Sequence, residues 1–484
     1  MDAIYCGIDV GTQGARCVLC TGGGEIVGRE EASYRGDGRD RLPEGWFEQS
    51  PRDWLRAVRT AVRGAVEQMQ GGKAEGQIVS VGVTSTSGTL CALDAAGDPV
   101  RPAIMYSDNR SAAESGEVNE KGAELAGKLG YRFKPSFALP KILWVLRHEP
   151  ERFERTAVFC SATDVVIGWL TGEFERTDQS NALKFGYDLV DGEWPSFISH
   201  DLGIPSEKLP VVQNTGDSVG CVSAEVGDEL GLPAEVPVAA GLTDGCAALI
   251  SSGAVDPGEF NTTIGTTLVI KGVSRDLLRD AEGRIYCHKH PDGWWLPGGA
   301  SNSGAECIAR EFRDRERDRL TRRVLETAPT DLVSYPLVGT GERFPFSTSS
   351  AEAFLLGTPA NRADLFVGYL EGIACLERMA YEVLDDLGAE VGEIIFSSGG
   401  GARNDGWLQI RADMLGRAVH RPRTTGAAMG AAVVGACVTG RGLSQAAGSM
   451  VTIDRRVFPR PAFREVYSEK YGKFVTECQR RGYL

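Results

Sequence analysis

The sequence predicts an α/β protein made of two similar halves with a cleft between them. Its 484 residues exceed a single typical domain and correspond to roughly two or three. Short strands alternate with amphipathic helices along the chain, and each half opens with a hairpin that turns on glycine and threonine. We therefore place an N-terminal domain at residues 1–250 and a C-terminal domain at residues 251–484, with ligands bound in the cleft.

In the N-terminal half, the order of elements is three strands, a long helix and a further strand. The first two strands are joined by the turn Gly11-Thr12-Gln13-Gly14. A helix is predicted over residues 50–70, because Ser50 is a favourable N-cap, Pro51 suits the first helical position, and apolar residues recur with helical spacing. A hydroxyl-rich loop at residues 84–89 follows the last strand. The predicted strands are at residues 4–10, 16–20, 25–28 and 77–83.

The C-terminal half repeats this pattern. Its hairpin turns on Gly265-Thr266-Thr267, and a glycine-rich run at residues 398–405 follows a short buried strand. The apolar spacing indicates a long helix at residues 363–387 and further helices later in the chain. The strands are predicted at residues 260–263, 268–271, 393–397 and 418–420, and the later helices from residue 405 and at residues 427–438.

Composition excludes several function classes. The 66 acidic residues outnumber the 52 basic ones, and a net charge of −14 repels nucleic-acid phosphates and anionic membranes. The most apolar stretch, residues 427–438, is shorter than the ~20 residues needed to span a bilayer. Early acidic residues argue against a secretory signal, and twelve cysteines without scaffold spacing suit reduced thiols. We expect a cytoplasmic protein with no nucleic-acid or membrane partner.

Three glycine-rich turns, at residues 11–14, 265–267 and 398–405, have the composition of phosphate-binding loops. In such turns backbone N–H groups point outward together, the hydroxyls add donors, and no side chain blocks a phosphate. Each turn alone could be a steric necessity of its hairpin. Three of them, each after a strand and spread over both halves, favour phosphate binding. Neither a Walker loop with its Ser/Thr nor a dinucleotide-binding GxGxxG is present.

Two aspartates are candidates for chemistry at these turns. Asp9 ends the first strand directly before the first turn, where a carboxylate can hold Mg²⁺ beside bound phosphates; its alternative role is to start the turn. Asp244 lies between glycines after an apolar strand. It can accept the proton of a substrate hydroxyl that attacks a γ-phosphate, or it can cap a helix at residues 246–252.

Four motifs in order resemble those of the FGGY carbohydrate kinases, and the likeness covers essentially the whole chain. Residues 101–110 are also similar to the family's segment around the sugar pocket, and Lys141 and Trp144 resemble a family signature. Residues 177–188 resemble the branch of D-ribulose kinases and plant-type xylulose kinase-like proteins. The four motifs are Gly7-Ile8-Asp9-Val10-Gly11-Thr12, Gly45-Trp46-Phe47-Glu48-Gln49, Gly241-Leu242-Thr243-Asp244-Gly245 and Gly399 to Asp405.

The resemblance implies an actin-like ATPase fold of two RNase H-like domains that bind a sugar and ATP, with Mg²⁺. It makes Asp244 the general base and a sugar contact, and it places Asp9 near the metal. Asp108, Ser87 and Gly88 would line the sugar pocket. The residues expected to contact the nucleotide and its phosphates are Gly11, Thr12, Gln13, Gly265, Thr266, Thr267, Gly400, Gly401 and Asn404.

One departure from the family bears on the substrate. Better-known xylulose kinases carry a Met-His pair where this chain has Ser87 and Gly88, so the resemblance does not extend to D-xylulose specificity. The leading hypothesis is an ATP-dependent kinase of a free ketopentose such as D-ribulose, acting as a monomer or homodimer. The alternatives are a kinase of xylulose, another ketose or a polyol, a non-metabolic actin-like ATPase, and a sugar-responsive regulator.

Overall fold

A computed structural model describes residues 2–34, 42–72 and 76–484. The chain forms two compact units, each assembled from three segments. The first unit contains the residues up to Ser251, then His288–Gly293 and Gly426–Thr452, and the second contains Ser252–Cys287, Trp294–Thr425 and Ile453–Leu484. The units therefore interleave along the sequence. The sequence, in contrast, predicts two domains that follow one another, with the boundary between residues 250 and 251.

The strands of both units are mostly short. In chain order they are β1 (Asp2–Val10), β2 (Gly14–Thr21), β3 (Ile26–Ser33), β4 (Glu48–Gln49), β5 (Gly76–Ser85), β6 (Cys91–Leu93), β7 (Ala103–Ile104), β8 (Val158–Cys160), β9 (Arg176–Asp178), β10 (Val211–Gln213), β11 (Ser218–Cys221), β12 (Pro237–Ala239), β13 (Leu242–Thr243), β14 (Phe260–Ile264), β15 (Leu268–Gly272), β16 (Ile285–Lys289), β17 (Trp295–Ala300), β18 (Val333–Tyr335), β19 (Phe354–Leu356), β20 (Ile394–Ser398), β21 (Ala418–Pro422) and β22 (Ile453–Val457).

The α-helices range from single turns to a long helix in the second unit. In chain order they are α1 (Pro51–Gly71), α2 (Ala112–Lys121), α3 (Ala123–Leu129), α4 (Ala138–His148), α5 (Pro150–Arg155), α6 (Ala162–Thr171), α7 (Gln179–Ala182), α8 (Ser196–His200), α9 (Ala224–Leu230), α10 (Asp244–Ile250), α11 (Glu306–Glu311), α12 (Asp314–Thr321), α13 (Val324–Thr327), α14 (Arg362–Asp386), α15 (Asp405–Leu415), α16 (Ala427–Gly435), α17 (Leu443–Met450) and α18 (Arg464–Arg480).

The two central sheets share one topology. In the first unit the strand order is β11-β12-β5-β1-β2-β3, with β13 also paired to β5. Strands β1, β2 and β3 form an antiparallel meander, while β5 is parallel to β1, β12 and β13. In the second unit the order is β16-β17-β15-β14-β20-β21-β22, and β20 is again parallel to the first strand of the hairpin, β14. The predicted duplication of a hairpin-led α/β layer is confirmed.

Helix α1 covers one face of the first sheet through the apolar stripe that its sequence predicts. Trp54, Val58 and Val62 on this stripe are fully buried against β2 and β3, and burial of such side chains stabilises by about 1.5–3 kcal/mol each. Pro51 begins the helix as expected. Ser50 is at the N-cap position in extended conformation, but its side chain accepts no capping hydrogen bond, so the predicted cap contributes backbone geometry alone.

Helix α16 covers β1 and β5 although it lies far from them in sequence. A Cβ atom added to Gly7 would lie 1.9 Å from the Ala428 carbonyl oxygen, and one added to Gly82 would lie 1.9 Å from the Ala431 oxygen. The strands and the helix thus touch backbone to backbone, which glycine alone permits. Gly430 makes the same kind of approach to α10 at Ala247. Small residues therefore fix the helix on the sheet and against the helix that Asp244 begins.

Two further sequence expectations concern membranes and thiols. Within residues 2–34, 42–72 and 76–484, none of the helices has both the length and the apolar composition that crossing a bilayer requires. Most of the cysteines are buried, as the sequence predicts.

Candidate active site

In the first unit, three strand ends bring the predicted residues to one edge of the sheet. Asp9 on β1 is in register with Thr84 on β5, and Thr84 is in register with Leu242 on β13. All three strands run in the same direction, so their carboxyl ends meet here, and ligands of α/β sheets characteristically bind at this edge. The Thr84 hydroxyl donates to the Leu242 carbonyl at 2.8 Å, which joins β5 to the segment that ends in Asp244.

Asp9 is a buried carboxylate with incomplete charge compensation. The residue is 6% exposed, and its Oδ2 accepts a hydrogen bond from the Arg16 guanidinium at 3.2 Å. Oδ1 is buried without a hydrogen-bond partner among the described residues. Burial, followed by repulsion from Asp244, raises the pKa of Asp9 from 3.8 to about 6, although Arg16 opposes the change. This repulsion means that the two carboxylates lie close enough to interact electrostatically.

Asp244 is the first residue of α10 and is half-buried. The N-cap position is occupied by Thr243, so the alternative in which Asp244 caps the helix is wrong by one residue. The Gly245 N–H donates to Asp244 Oδ1 at 2.7 Å. The carboxylate is therefore held at a helix start, where negative charge is favoured, and it remains partly accessible to a substrate.

The turn at residues 11–14 is held by its carbonyl groups. The Tyr34 hydroxyl donates to the Gly11 oxygen at 2.9 Å, and the Gln49 side chain donates to the Thr12 oxygen at 2.8 Å. The Tyr34 N–H donates to the Gln13 oxygen. Thr12 is half-buried and Gln13 is exposed, so the turn keeps a fixed backbone while these side chains stay accessible, as a phosphate-contacting loop requires.

Two buried lysines hold the backbone of Ser87 and Gly88. Lys141 donates to the Gly88 carbonyl at 3.0 Å, and Lys184 donates to the Ser87 carbonyl at 3.2 Å. Burial, and then the neighbouring Lys184, lower the pKa of the Lys141 ammonium well below its usual value. Gly88 has φ +84°, and a Cβ there would lie 2.3 Å from the Ser136 oxygen. The Ser87 hydroxyl oxygen is buried without a hydrogen-bond partner among the described residues.

Asp108 is fully buried, and both oxygens of its carboxylate accept hydrogen bonds from neighbouring residues. Arg110 donates to both oxygens through its guanidinium at 2.9 and 2.8 Å, and the Phe47 N–H donates to Oδ2 at 2.6 Å. The same guanidinium lies 3.8 Å from the centre of the Trp46 ring and 5.0 Å from that of Trp144. The hydrogen bonds of Asp108 thus fix the Arg110 cation beside two indoles, and both carboxylate oxygens are engaged in doing so.

In the second unit, the turn Gly265-Thr266-Thr267 follows β14. The Ala305 N–H donates to the Gly265 oxygen at 2.9 Å, and the Gly265 N–H donates to the Thr267 oxygen at 3.0 Å. Thr266 is exposed, and Thr267 is half-buried. The turn therefore repeats the first one: bonded carbonyl groups and accessible hydroxyl side chains at a strand end.

The third glycine-rich loop lies beside this turn. The ends of β14 and β20 are joined by Thr263 and Ser398, whose hydroxyl oxygens are 2.7 Å apart. Gly399 follows with φ +82°, and a Cβ there would lie 2.5 Å from the Ile264 oxygen. The close approach of Gly399 to Ile264 brings the loop at residues 399–404 against the end of β14. This loop and the turn at residues 265–267 therefore form one glycine-rich edge.

Within this loop the predicted residues have different environments. Gly400 is exposed, and a Cβ there would have no atom within 4 Å. Gly401 is buried, and a Cβ there would lie 2.8 Å from Ile264. The Asn404 side chain accepts from the Trp407 N–H at 3.0 Å and caps α15. Gly400 therefore faces open space, while Gly401 and Asn404 have evident packing and capping roles.

The carboxylates of Asp9 and Asp244 are the groups at this site that could bind Mg²⁺. Over the described part of the chain there is no cluster of three or more His, Cys, Asp or Glu side chains arranged to hold a metal. Mg²⁺ commonly binds one or two carboxylates together with substrate phosphates. The partnerless oxygen of Asp9 and the repulsion between Asp9 and Asp244 suit such a cation, so the residues present fit it.

Arg16 and Ser180 contact residues of the candidate site, although the sequence predictions do not include them. Arg16 pairs with Asp9 directly across the β1–β2 ladder, and the opposed positions of a tight hairpin could have predicted this. Ser180 donates to Asp178 at 2.6 Å and accepts from the Thr243 N–H at 3.0 Å. No local signal links these residues, because 63 positions separate Ser180 from Thr243.

Known proteins match both halves of the chain. The FGGY family of carbohydrate kinases, N-terminal domain, matches residues 4–251, and the C-terminal domain of the same family matches residues 260–438. The chain is 28% identical to the xylulose kinase of Bacillus subtilis (strain 168) over 447 residues, which is 90% of this chain and 88% of that protein. It is 25% identical to the gluconokinase of the same organism over 465 residues, 91% and 88% of the two chains.

Solved structures agree in fold. The xyloylose kinase of Brucella ovis matches with a TM-score of 0.86 and 27% identity, and the xylulose kinase of Rhodospirillum rubrum with 0.85 and 26%; each match covers 98% of both chains. The fold is therefore the predicted pair of RNase H-like, actin-like ATPase domains, and the alternative of a non-metabolic ATPase is not supported. The chain belongs to the FGGY family of carbohydrate kinases and is an ATP-dependent sugar kinase.

Proposed function

We propose that the protein transfers the γ-phosphoryl group of ATP to a hydroxyl of a free ketopentose, of which D-ribulose is the leading candidate. The observation that carries the catalytic part is the pair of interacting carboxylates, Asp9 and Asp244, at the carboxyl ends of β1 and β13. Phosphoryl transfer demands positioning and charge compensation more than covalent chemistry. A base next to a second carboxylate suited to a metal meets that demand.

Asp244 is the proposed general base. Its carboxylate accepts the proton of the attacking sugar hydroxyl, and the hydroxyl oxygen then forms its bond to the γ-phosphorus in line with the leaving ADP oxygen. The Gly245 N–H at 2.7 Å fixes the orientation of the carboxylate. Its half-buried position allows contact with the sugar.

Asp9 is the proposed magnesium residue. Bound Mg²⁺ supplies charge compensation to the phosphate oxygens during transfer. Asp9 is held for this purpose by Arg16. Gly11, Thr12 and Gln13, in the turn that follows, would contact the transferred phosphoryl group, with Thr12 and Gln13 supplying backbone N–H groups and accessible side chains.

The second unit is the proposed nucleotide-binding side. Gly265, Thr266 and Thr267 would contact phosphates through the turn and its hydroxyls. Gly400, with open space where a side chain would be, would allow the nucleotide to approach the backbone. Gly401 and Asn404 are proposed to shape this edge, since both are engaged in the loop itself.

The sugar pocket is proposed around Ser87 and Gly88. The partnerless Ser87 hydroxyl can bond a sugar hydroxyl, and the lysine-anchored carbonyls fix its position. Asp108 is proposed to act through its neighbours, because its bonds hold the Arg110 guanidinium at Trp46. The Ser-Gly pair in place of Met-His supports a ketopentose other than D-xylulose, while the xylulose kinase relatives support xylulose, another ketose or a polyol as the alternative.

Two measurements test this proposal. Turnover of MgATP with a panel of free ketopentoses, aldoses and polyols should be stimulated most strongly by a ketopentose, and stimulation by a polyol or hexose alone would overturn the assignment. The Asp244→Asn variant should retain sugar and nucleotide binding in calorimetry but lose kcat on the order of 10²-fold or more. A near-normal kcat in this variant would remove Asp244 from the mechanism.

A further inference from the structure

A buried polar segment, Asp178 to Asn181, contacts the chain immediately before Asp244. Asp178 ends β9 and caps α7, and its side chain is 1% exposed. Its Oδ1 accepts from the Ser180 N–H at 2.7 Å, the Ser180 hydroxyl at 2.6 Å and the Asn181 N–H at 3.1 Å. Oδ2 accepts from the Asn181 side-chain amide at 2.5 Å. This short turn is therefore tied to one buried carboxylate by four hydrogen bonds.

The direction of the Ser180 hydroxyl follows from its partners. The Asp178 carboxylate can only accept, so the Ser180 hydrogen points to Asp178. A lone pair of the same oxygen accepts the Thr243 N–H at 3.0 Å, and a backbone N–H can only donate. Ser180 is 1% exposed, so water does not replace either bond. The hydroxyl thus fixes the backbone at Thr243, the residue before Asp244.

A second bond holds the other end of the same segment. The Thr84 hydroxyl donates to the Leu242 oxygen at 2.8 Å, and Leu242 and Thr243 pair with β5 in the parallel ladder. Because Thr84 is also in register with Asp9, the ladder sets Asp244 relative to Asp9 along β5. The Ser180 bond adds a fixed point at Thr243, where β13 ends and α10 begins.

We propose that Ser180, oriented by Asp178, is a positioning residue that sets the Asp244 carboxylate for proton transfer through the Thr243 backbone. The inference rests on the proposed function of Asp244. Proton transfer requires the base to be within hydrogen-bond reach of the substrate hydroxyl, and a displacement of 1 Å can cost on the order of 10²-fold in rate. Ser180 itself touches neither the sugar nor ATP in this scheme.

The Ser180→Ala variant tests the proposal. It removes the acceptor of the Thr243 N–H and leaves the sugar pocket and the nucleotide loops unchanged. We expect kcat to fall about tenfold, the effect of roughly 1.4 kcal/mol on the barrier, while the KM values for sugar and ATP stay within twofold. A loss confined to kcat indicates misplacement of the base, whereas general loosening of the unit would also raise the KM for the sugar.

A double-mutant cycle with Asp244→Asn separates this inference from the proposed function. If Ser180 acts through Asp244, Ser180→Ala should change the residual kcat of the Asp244→Asn enzyme less than twofold. A tenfold loss of kcat when Ser180→Ala is added to Asp244→Asn would overturn the inference. A kcat within twofold of wild type for Ser180→Ala alone would also overturn it. In both cases the proposed role of Asp244 would be unaffected. A near-normal kcat for Asp244→Asn alone overturns the proposed function instead.

A matched control accounts for stability. Ser334→Ala removes another buried serine hydroxyl, which donates to the Gly368 carbonyl at 2.8 Å and lies outside the proposed machinery. It should lower Tm by about as much as Ser180→Ala and leave kcat unchanged. If Ser180→Ala does not accumulate as folded protein, Ser180→Cys serves in its place, because the thiol is close in volume but a weak acceptor.

Discussion

Replacing Asp9 by Asn should stabilise the nucleotide-free protein while abolishing its activity. Burial and repulsion from Asp244 raise the pKa of Asp9 from 3.8 to about 6, so the folded protein binds this proton more tightly than the unfolded chain does. The stability from Asp9 is complete below pH 4 and is lost as the pH rises through 6. Because a tenfold change in proton affinity equals about 1.4 kcal/mol, the ionised Asp9 costs about 3 kcal/mol at neutral pH.

Thermal unfolding of both proteins between pH 4 and pH 8, without metal or nucleotide, measures this cost. The Asn variant should match wild type near pH 4 and exceed it at pH 8 by about 3 kcal/mol, or roughly 6 °C in Tm. A difference that is constant with pH, or a less stable variant at pH 8, would refute the reasoning. Asp188→Asn is a control with the opposite sign. Burial acts to raise the pKa of Asp188, but hydrogen bonds from Lys128 and backbone N–H groups outweigh burial and lower the pKa. The Asp188→Asn variant should therefore be less stable than wild type at neutral pH.

Three glycine substitutions test the loops. Gly400→Leu should leave Tm within about 1 °C of wild type, because the surroundings of Gly400 are open. It should raise the KM for ATP about tenfold and the KM for the sugar less than twofold. An unchanged KM for ATP would mean that the loop has a structural role only. Gly399→Ala, at φ +82° and 2.5 Å from the Ile264 oxygen, should lower the stability of the fold by about 1–3 kcal/mol, measured by denaturant unfolding. Gly88→Ala, blocked by the Ser136 oxygen, should raise the sugar KM more than the ATP KM in steady-state kinetics.

Local sequence patterns predicted two long helices and the hairpin strands of both units, because the forces that form these elements are local. The helix expected at residues 50–70 is Pro51–Gly71, and the one expected at residues 363–387 is Arg362–Asp386. Both hairpins occur at the predicted turns that contain glycine and threonine. Helical and strand periodicity can be recognised within one element, so a single sequence is enough to predict such elements.

The parts of the site that depend on distant contacts could not be predicted in this way. The Thr84 hydroxyl and the Leu242 oxygen that it bonds are 158 positions apart, and no periodicity joins them. The family resemblance predicts a sugar contact for Asp108, whereas its burial and its bonds to Arg110 depend on the folded chain and have no local sequence signal. Residue type indicates which groups can react, whereas tertiary packing decides which of them remain accessible.

The late position of α16 has a consequence for synthesis on the ribosome. The helix that lies against Gly7 and Gly82 is translated only after residue 426, long after β1 and β5 have emerged. Until then the nascent first unit has a sheet face without this cover, and exposed apolar strands of this kind favour aggregation. A gene fragment that stops at residue 251 should therefore yield insoluble protein, and addition of residues 426–452 as a separate peptide should improve its recovery.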